Sequence, residues 1–120
     1  MSKLLIVDDE PNVLYSISEA LENEGINVST AKTARQGLSL ISQESFDSVL
    51  IDIRLPDQTG LELFEQIKQV DPKLPVIIMT AYAAADTAIE AMKRGAYEYM
   101  LKPVDLHHLR RVVNKAVALK

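Results

Sequence analysis

Five side chains with carboxylate, hydroxyl or ammonium groups stand at or just after the ends of short apolar runs in this chain. In chain order they are Asp8, Asp9, Asp52, Thr80 and Lys102. An apolar run in which apolar and polar residues do not alternate, such as the one that holds Asp52, is typical of a strand buried on both faces in a parallel sheet. Because parallel strands end at the same edge of a sheet, these side chains are predicted to converge there.

Three carboxylates at one edge repel one another, since two unit charges about 4 Å apart cost on the order of 4 kcal/mol at an effective dielectric near 20. A divalent cation would relieve this repulsion, and Mg²⁺ characteristically takes one or two protein carboxylates, water and a phosphate oxygen. Lys102 can pair with an anionic oxygen, and the Thr80 hydroxyl can donate to another. The set predicts a phosphoryl site with Asp52 as acceptor, since an ionised carboxylate can form an acyl phosphate without a general base.

The intervening segments predict the elements that position these groups. Five apolar runs alternate with five segments whose apolar residues recur at helical spacing. Pro11 is placed to begin the first helix and Asp105 to cap the last, and the fourth helix is expected to turn Ile89 and Met92 inward. Strict alternation of strand and helix predicts an α/β fold, with a parallel sheet, right-handed crossovers and helices on both faces.

Length and composition fit one domain over residues 1–120, and a disulfide, thiol nucleophile or zinc–thiolate site is excluded because the chain contains no Cys. The formal net charge of −4 argues against nucleic-acid binding by this domain. No apolar run is long enough for a signal peptide or a membrane span, so we expect a cytoplasmic protein without membrane association. No Gly or Pro follows the last helix, so we expect residues 1–120 to be the N-terminal part of a longer chain.

Four pieces of the sequence together resemble the receiver domain of two-component response regulators. They are Val7-Asp8-Asp9-Glu10, Ile51-Asp52 followed by Leu55-Pro56 and Gly60, Met79-Thr80-Ala81, and Lys102-Pro103, in the family's order and approximate spacing. The resemblance covers the whole chain and implies a flavodoxin-like, doubly wound (βα)5 fold with strand order 2-1-3-4-5. It also implies a cis peptide bond before Pro103.

The resemblance implies a role for each matching residue. Asp52 would be the phosphorylation site, Asp8 and Asp9 the acids on the metal side, and the Arg54 backbone carbonyl a further ligand of Mg²⁺. The donor would be a sensor histidine kinase or a phosphotransfer protein. The expected function is a phosphorylation-activated signalling switch rather than an enzyme, because the domain would promote its own phosphorylation and slow dephosphorylation without turning over an outside substrate.

Tyr99 matches the family's switch aromatic, which turns inward when the phosphoryl group draws the Thr80 hydroxyl toward it. The fourth helix, fifth strand and fifth helix would form the readout face, which would control the domain's own output domain and could hold a homodimer. Residues 80–99 are most similar to receivers of sigma-54-dependent transcription activators, so transcription is the expected output.

Two positions depart from the family's pattern. Thr59 stands before Gly60 where many receivers have an acidic residue or Asn, which leaves the capping of the third helix open. Residues 83–85 are all Ala where a more polar loop is usual, and this could alter the rate of phosphoryl loss.

Ordinary structural interpretations also exist for these residues. Asp8 and Asp9 could simply cap the first helix, and Asp52 and Lys102 could form a plain buried ion pair. Thr80 and Tyr99, taken alone, suit a strand end and a packed ring. The adjacent His107 and His108 point about 100° apart on a helix, which favours solvent over a metal site.

Three other functions were compared with the phosphoryl switch. A phosphatase of the haloacid dehalogenase type would need a second acid two residues after its nucleophile, where this chain has Arg54. A flavodoxin-like cofactor binder would need Ser, Thr and Gly after the first strand, whereas Asp8, Asp9 and Glu10 would repel a phosphate. A receiver that only docks partners and accepts no phosphoryl group stays open.

Overall fold

Strands and helices alternate along the chain in the computed structural model, which describes residues 2–81 and 86–119. Tyr82 and the three-alanine stretch at 83–85, noted above for its unusual composition, lie outside the described residues. The elements, numbered in chain order, are β1 Lys3–Val7, α1 Pro11–Glu22, β2 Asn27–Ala31, α2 Ala34–Gln43, β3 Ser48–Asp52, α3 Gly60–Val70, β4 Val76–Thr80, α4 Asp86–Lys93, β5 Glu98–Leu101 and α5 Leu106–Leu119.

The five strands form one parallel sheet in the order β2-β1-β3-β4-β5. This order confirms the predicted doubly wound topology, in which the chain reverses its direction of winding between β1 and β3. Val7 pairs with Ile51, Asp52 with Met79, and Thr80 with Leu101. The strand ends therefore lie side by side at one edge.

The core has two layers, one on each face of the sheet, because alternate residues of a strand point to opposite faces. The helices α2, α3 and α4 pack on one face, where Phe64 is the largest fully buried side chain. The helices α1 and α5 pack on the other face against Leu4, Leu50 and Ile77. Both layers enclose the sheet, which explains the unbroken apolar runs of β1, β3 and β4.

The helix ends mostly follow the predicted signals. Pro11 occupies the first turn of α1, and the Asp105 Oδ1 atom accepts hydrogen bonds from the backbone N–H groups of His107 at 2.9 Å and His108 at 3.3 Å. At α3 the Thr59 hydroxyl and the Glu62 carboxylate form a capping box, each accepting a backbone N–H at 3.1 Å. Thr59 thus supplies the cap that its departure from the family's pattern had left open.

The prediction that Ile89 and Met92 of α4 point inward is wrong for Ile89. Ile89 is 51% exposed, whereas Ala91 is fully buried and Met92 is partly buried. Residues two apart on a helix point about 200° apart, so the burial of Ala91 against the sheet turns Ile89 toward solvent. No helix among the described residues is both long and apolar enough to cross a membrane.

Candidate phosphoacceptor site

Asp52 lies at the end of the central strand β3 with only 6% of its surface exposed. Its Oδ1 atom accepts a hydrogen bond from the backbone N–H of Arg54 at 3.2 Å, which orients the carboxylate. The chain then turns back, and the N–H of Gly60 donates to the carbonyl of Ile53 at 2.8 Å. A Cβ atom on Gly60 would overlap the backbone oxygen of Asp52 and lie 2.8 Å from Ile53 Cα, so the turn requires glycine at this position.

Asp8 and Lys102 approach Asp52 from opposite sides along the same edge, Asp8 from the adjacent strand β1 and Lys102 from β5, beyond β4. Asp8 follows β1, is fully buried, and accepts a hydrogen bond from the backbone N–H of Glu10 at 2.9 Å. Lys102 follows β5, and its backbone N–H donates to the carbonyl of Thr80 at 2.8 Å. The Lys102–Pro103 peptide bond is cis, as the family resemblance implied.

The Lys102 ammonium is the centre of an acid–lysine cluster made of Asp8, Glu10, Asp52 and Lys102. Its Nζ atom lies 2.8 Å from Asp8 Oδ2, 2.9 Å from Asp52 Oδ2 and 3.0 Å from Glu10 Oε1. The ammonium group donates hydrogen bonds to Asp52 and Glu10, and its contact with Asp8 is an ion pair. The cluster nevertheless carries more negative than positive charge.

The pKa values of two groups in the cluster are raised for different reasons. Burial raises the pKa of the Asp8 carboxyl, and the contacts with Lys102 and with the backbone N–H of Glu10 offset only part of the rise. Burial alone would lower the pKa of the Lys102 ammonium, but its contacts with the three carboxylates outweigh burial and hold that pKa above its usual value. The raised pKa of Lys102 shows that the surrounding acids favour its charged form, whereas the raised pKa of Asp8 is mainly an effect of burial.

The donor set fits a hard divalent cation. Carboxylate oxygens of Asp8, Glu10 and Asp52 lie within 4.8 Å of one another. Asp8 Oδ2 is buried and, despite its ion-pair contact with Lys102, has no hydrogen bond of acceptable geometry. An incompletely satisfied buried carboxylate oxygen in an all-oxygen group is a suitable ligand for Mg²⁺. The cluster is thus an acidic pocket that could bind a metal ion.

A cavity of about 300 Å³ opens onto the cluster and is large enough to admit a phosphoryl group. Asp9 and Arg54 line this cavity and are exposed, and the Asp9 carboxylate lies outside the compact group of three acids. Thr80 is fully buried at the end of β4, and the next residue, Ala81, lines the cavity. Tyr99 lies on β5 with 37% of its surface exposed and borders a separate groove beside Pro103 and His108.

The structure adds two groups that the sequence analysis had not assigned. The sequence gives Glu10 no role beyond its place in the Asp8-Asp9-Glu10 motif, yet its carboxylate contacts Lys102. Asp57 accepts hydrogen bonds from the backbone N–H groups of Ala34 and Arg35, both at 2.9 Å, and so links the loop after β3 to the start of α2. The position of Glu10 directly after two site acids was an available signal, whereas nothing in the local sequence pairs Asp57 with α2.

The fold and the cluster together define a class of protein, the doubly wound α/β domain with an acceptor carboxylate, acidic partners and a lysine at the carboxyl edge of its sheet. Residues 4–114 match the family model described as the response regulator receiver domain. The chain belongs to this family and is a signalling switch domain.

The curated relatives include proteins named as transcriptional regulatory proteins. The chain is 42% identical over 118 residues to the response regulator protein PilR of Pseudomonas aeruginosa, and the matched residues make up 98% of this chain and 26% of PilR. It is 38% identical over 120 residues to the regulatory protein AtoC of Escherichia coli, and the matched residues make up 100% of this chain and 26% of AtoC. The chain thus spans about a quarter of the length of these relatives.

Solved structures share the fold almost completely. A response regulator receiver domain protein from Clostridium thermocellum superposes with a TM-score of 0.93 at 37% sequence identity, covering 98% of this chain and 95% of the other. The solution structure of the beryllofluoride-activated NtrC4 receiver domain dimer superposes with a TM-score of 0.93 at 35% identity, covering 98% of each chain.

Proposed function

We propose that Asp52 accepts a phosphoryl group from the phosphohistidine of a sensor histidine kinase or a phosphotransfer protein. The observation that carries the proposal is the Lys102 ammonium, which contacts both Asp52 Oδ2 at 2.9 Å and Asp8 Oδ2 at 2.8 Å beneath an open cavity. A lysine in this position can pair with a phosphoryl oxygen while the neighbouring acids hold a cation on the other side.

The transfer needs no general base. A carboxylate oxygen of Asp52 forms a bond to phosphorus as the phosphorus–nitrogen bond of phosphohistidine breaks, and the imidazole nitrogen leaves with the electron pair. The hydrogen bond from the Arg54 N–H to Oδ1 holds the carboxylate in place, and Lys102 stabilises the charge on the transferred oxygens. The product is an acyl phosphate on Asp52.

We assign Mg²⁺ to the acidic pocket on the basis of its hard oxygen donors and its excess negative charge. Asp8, Asp9 and Asp52, with the backbone carbonyl of Arg54, are the proposed ligands or acids on the metal side, directly or through water. When bound, the ion neutralises charge on the phosphoryl oxygens and aligns them for in-line transfer.

The proposed switch runs from the site to the readout face formed by α4, β5 and α5. Thr80 ends β4 directly beside β5, and Tyr99 on β5 is partly exposed, which leaves its ring room to change position. The same face carries the exposed apolar side chains Ile89 and Leu101. We propose this face as the site of a homodimer, a state that the NtrC4 receiver adopts in its beryllofluoride-activated form.

We further propose that the readout face controls an output domain in a longer regulator and that the output is transcription. The support is the length of the matched relatives, of which this chain spans about a quarter, and their names as regulatory proteins. The similarity of residues 80–99 to receivers of sigma-54-dependent activators narrows the proposed output to sigma-54-dependent transcription. A cytoplasmic location, without membrane or nucleic-acid contacts by this domain itself, and the absence of any outside substrate belong to the same proposal.

The test is intact mass after incubation with acetyl phosphate, with and without Mg²⁺, for the wild type and Asp52→Asn. We expect one Mg²⁺-dependent phosphoryl adduct that hydroxylamine removes and that the variant lacks. An equal adduct on Asp52→Asn would overturn the assignment of Asp52. No adduct on the wild type under any condition would indicate a receiver that only docks partners. An adduct that forms equally without Mg²⁺ would contradict the proposed role of the metal ion.

A further inference from the structure

We propose that Glu10 is a positioning residue that holds the Lys102 ammonium in the resting site and releases it when a phosphoryl group arrives on Asp52. This inference rests on the proposed function and adds a residue to it. Glu10 competes with the phosphoryl group for one N–H donor of Lys102, and so it sets how readily the site accepts that group.

The first observation is the direction of the Glu10 side chain. Glu10 is the N-cap residue of α1, yet its side chain makes no capping hydrogen bond to the helix. Its Oε1 atom instead accepts a hydrogen bond at 3.0 Å from Lys102, a residue 92 positions away in the sequence. A carboxylate at a helix N-terminus is normally stabilised by backbone N–H groups, so the contact with Lys102 takes the place of an available local one.

The second observation is that three carboxylates crowd the Lys102 ammonium. Its Nζ atom donates hydrogen bonds to Asp52 and Glu10 and forms an ion pair with Asp8 at 2.8 Å. A phosphoryl group on Asp52 takes over the donor that Asp52 holds, and it gains a further donor more readily if Glu10 or Asp8 moves away. The Asp8 side chain is fully buried and would lose its cation without gaining water. The Glu10 side chain is 60% exposed and can return to solvent at small cost. Of the two carboxylates that are not themselves phosphorylated, Glu10 is therefore the partner that leaves.

The third observation is charge. A phosphoryl group on Asp52 carries more negative charge than the carboxylate it replaces, and a Glu10 carboxylate on the same ammonium would repel it. Because Asp8 and Asp52 are needed to build the site, Glu10 is the cluster acid whose removal can favour the phosphorylated form. The expected effect is modest, since an exposed ion pair contributes little to stability or binding.

The experiment compares the wild type with Glu10→Gln, Glu10→Asp and the matched control Glu22→Gln. Glu22 is also exposed and ends the same helix, roughly 18 Å along the axis from Glu10. Two quantities are measured: the NMR resonances of the Lys102 side chain in the free protein, and the dissociation constant of beryllofluoride with Mg²⁺, a mimic of the phosphoryl group.

We expect Glu10→Gln to shift the Lys102 resonances and to tighten beryllofluoride binding about two- to fivefold, whereas Glu22→Gln does neither. Glu10→Asp keeps the charge but shortens the reach by one methylene, so it should also release Lys102 and tighten binding. Wild-type binding by Glu10→Asp together with tighter binding by Glu10→Gln would assign the effect to charge alone and overturn the positioning role.

Two outcomes separate this inference from the proposed function. If all four proteins bind beryllofluoride with equal constants, or if Glu10→Gln binds it more weakly, Glu10 is not a competitor and the inference alone fails. If none of them binds it, the proposed phosphoryl site fails and the inference fails with it. An unchanged Lys102 resonance in Glu10→Gln would show that the pair does not form in solution.

Discussion

The acid–lysine cluster and the readout face both draw on β5 or the residue that follows it, but they differ in their exposure to solvent. Asp8 is fully buried and Asp52 is 6% exposed, and the Lys102 ammonium lies within 2.9 Å of both carboxylates. On the readout face, Tyr99 is 37% exposed, and Ile89 on α4 is 51% exposed. The acids of the cluster are fixed by burial and charge, whereas these two side chains of the readout face are open to solvent.

This difference corresponds to the two tasks of a switch domain. Phosphoryl transfer needs groups that are already in place, because aligning them at the moment of reaction would add to the barrier. A readout surface needs a second conformation within a few kcal/mol of the first, and weakly held elements supply it.

The largest expected effect comes from removing the cation of the cluster. Lys102→Ala leaves Asp8 and Asp52 buried without their ammonium partner, so we expect phosphorylation by acetyl phosphate to slow by roughly 100-fold or more. Mg²⁺ affinity should change far less, since the carboxylates remain. Ile89→Ala on the readout face is the control and should phosphorylate at a rate close to that of the wild type. Similar losses in both variants would contradict the division into two regions.

The second-largest expected effect is a loss of stability on substitution of Gly60 in the turn that follows Asp52. Gly60→Ala places a Cβ atom against the backbone of Asp52 and Ile53, so we expect a loss of about 3 kcal/mol in the free energy of unfolding. Gly37→Ala is the comparison variant and is expected to lose less, because its Cβ atom would meet a side-chain atom, Val7 Cγ2 at 2.8 Å, rather than the backbone. Urea denaturation of both variants gives the comparison. Equal losses would show that the backbone contact at Gly60 is not special.

The smallest effect concerns the Asp57 carboxylate, which ties the loop after β3 to α2. Hydrogen bonds from the N–H groups of Arg35 and Ala34 lower its pKa below the usual 3.8. A pKa that is lower in the folded than in the unfolded state adds stability above the unfolded value, and this stability disappears as the pH falls through the folded value. Asp57→Asn should therefore melt a few degrees below the wild type at neutral pH.

The difference in melting temperature between Asp57→Asn and the wild type should shrink as the pH falls below about 4. Thermal melts across this pH range measure it. A difference that stays constant into strong acid would show that the charge of Asp57 does not tie the loop to α2.

Much of the fold could be predicted because its signals are local or periodic. Unbroken apolar runs predicted buried parallel strands, and the alternation of runs and helical segments predicted the crossovers, both of which the sheet order confirms. The same topology brings Asp8, Asp52 and Lys102 to one edge of the sheet. The capping box at α3 was also present in the sequence, as Thr59 followed three residues later by Glu62.

What the sequence alone could not determine is how side chains from distant segments pair. Ile89 has the apolar character of a core residue, but the close approach of Ala91 to the sheet turns it outward. The contacts of Asp57 with α2 and of Glu10 with Lys102 join residues 22 and 92 positions apart, and no local pattern predicts these pairings, although Glu10 stands directly after two site acids. Periodicity predicts the buried face of most elements, because that face depends mainly on neighbours along the chain. The choice of partner for an individual charge depends on which segments the folded chain brings within about 3 Å, and only the tertiary structure decides that.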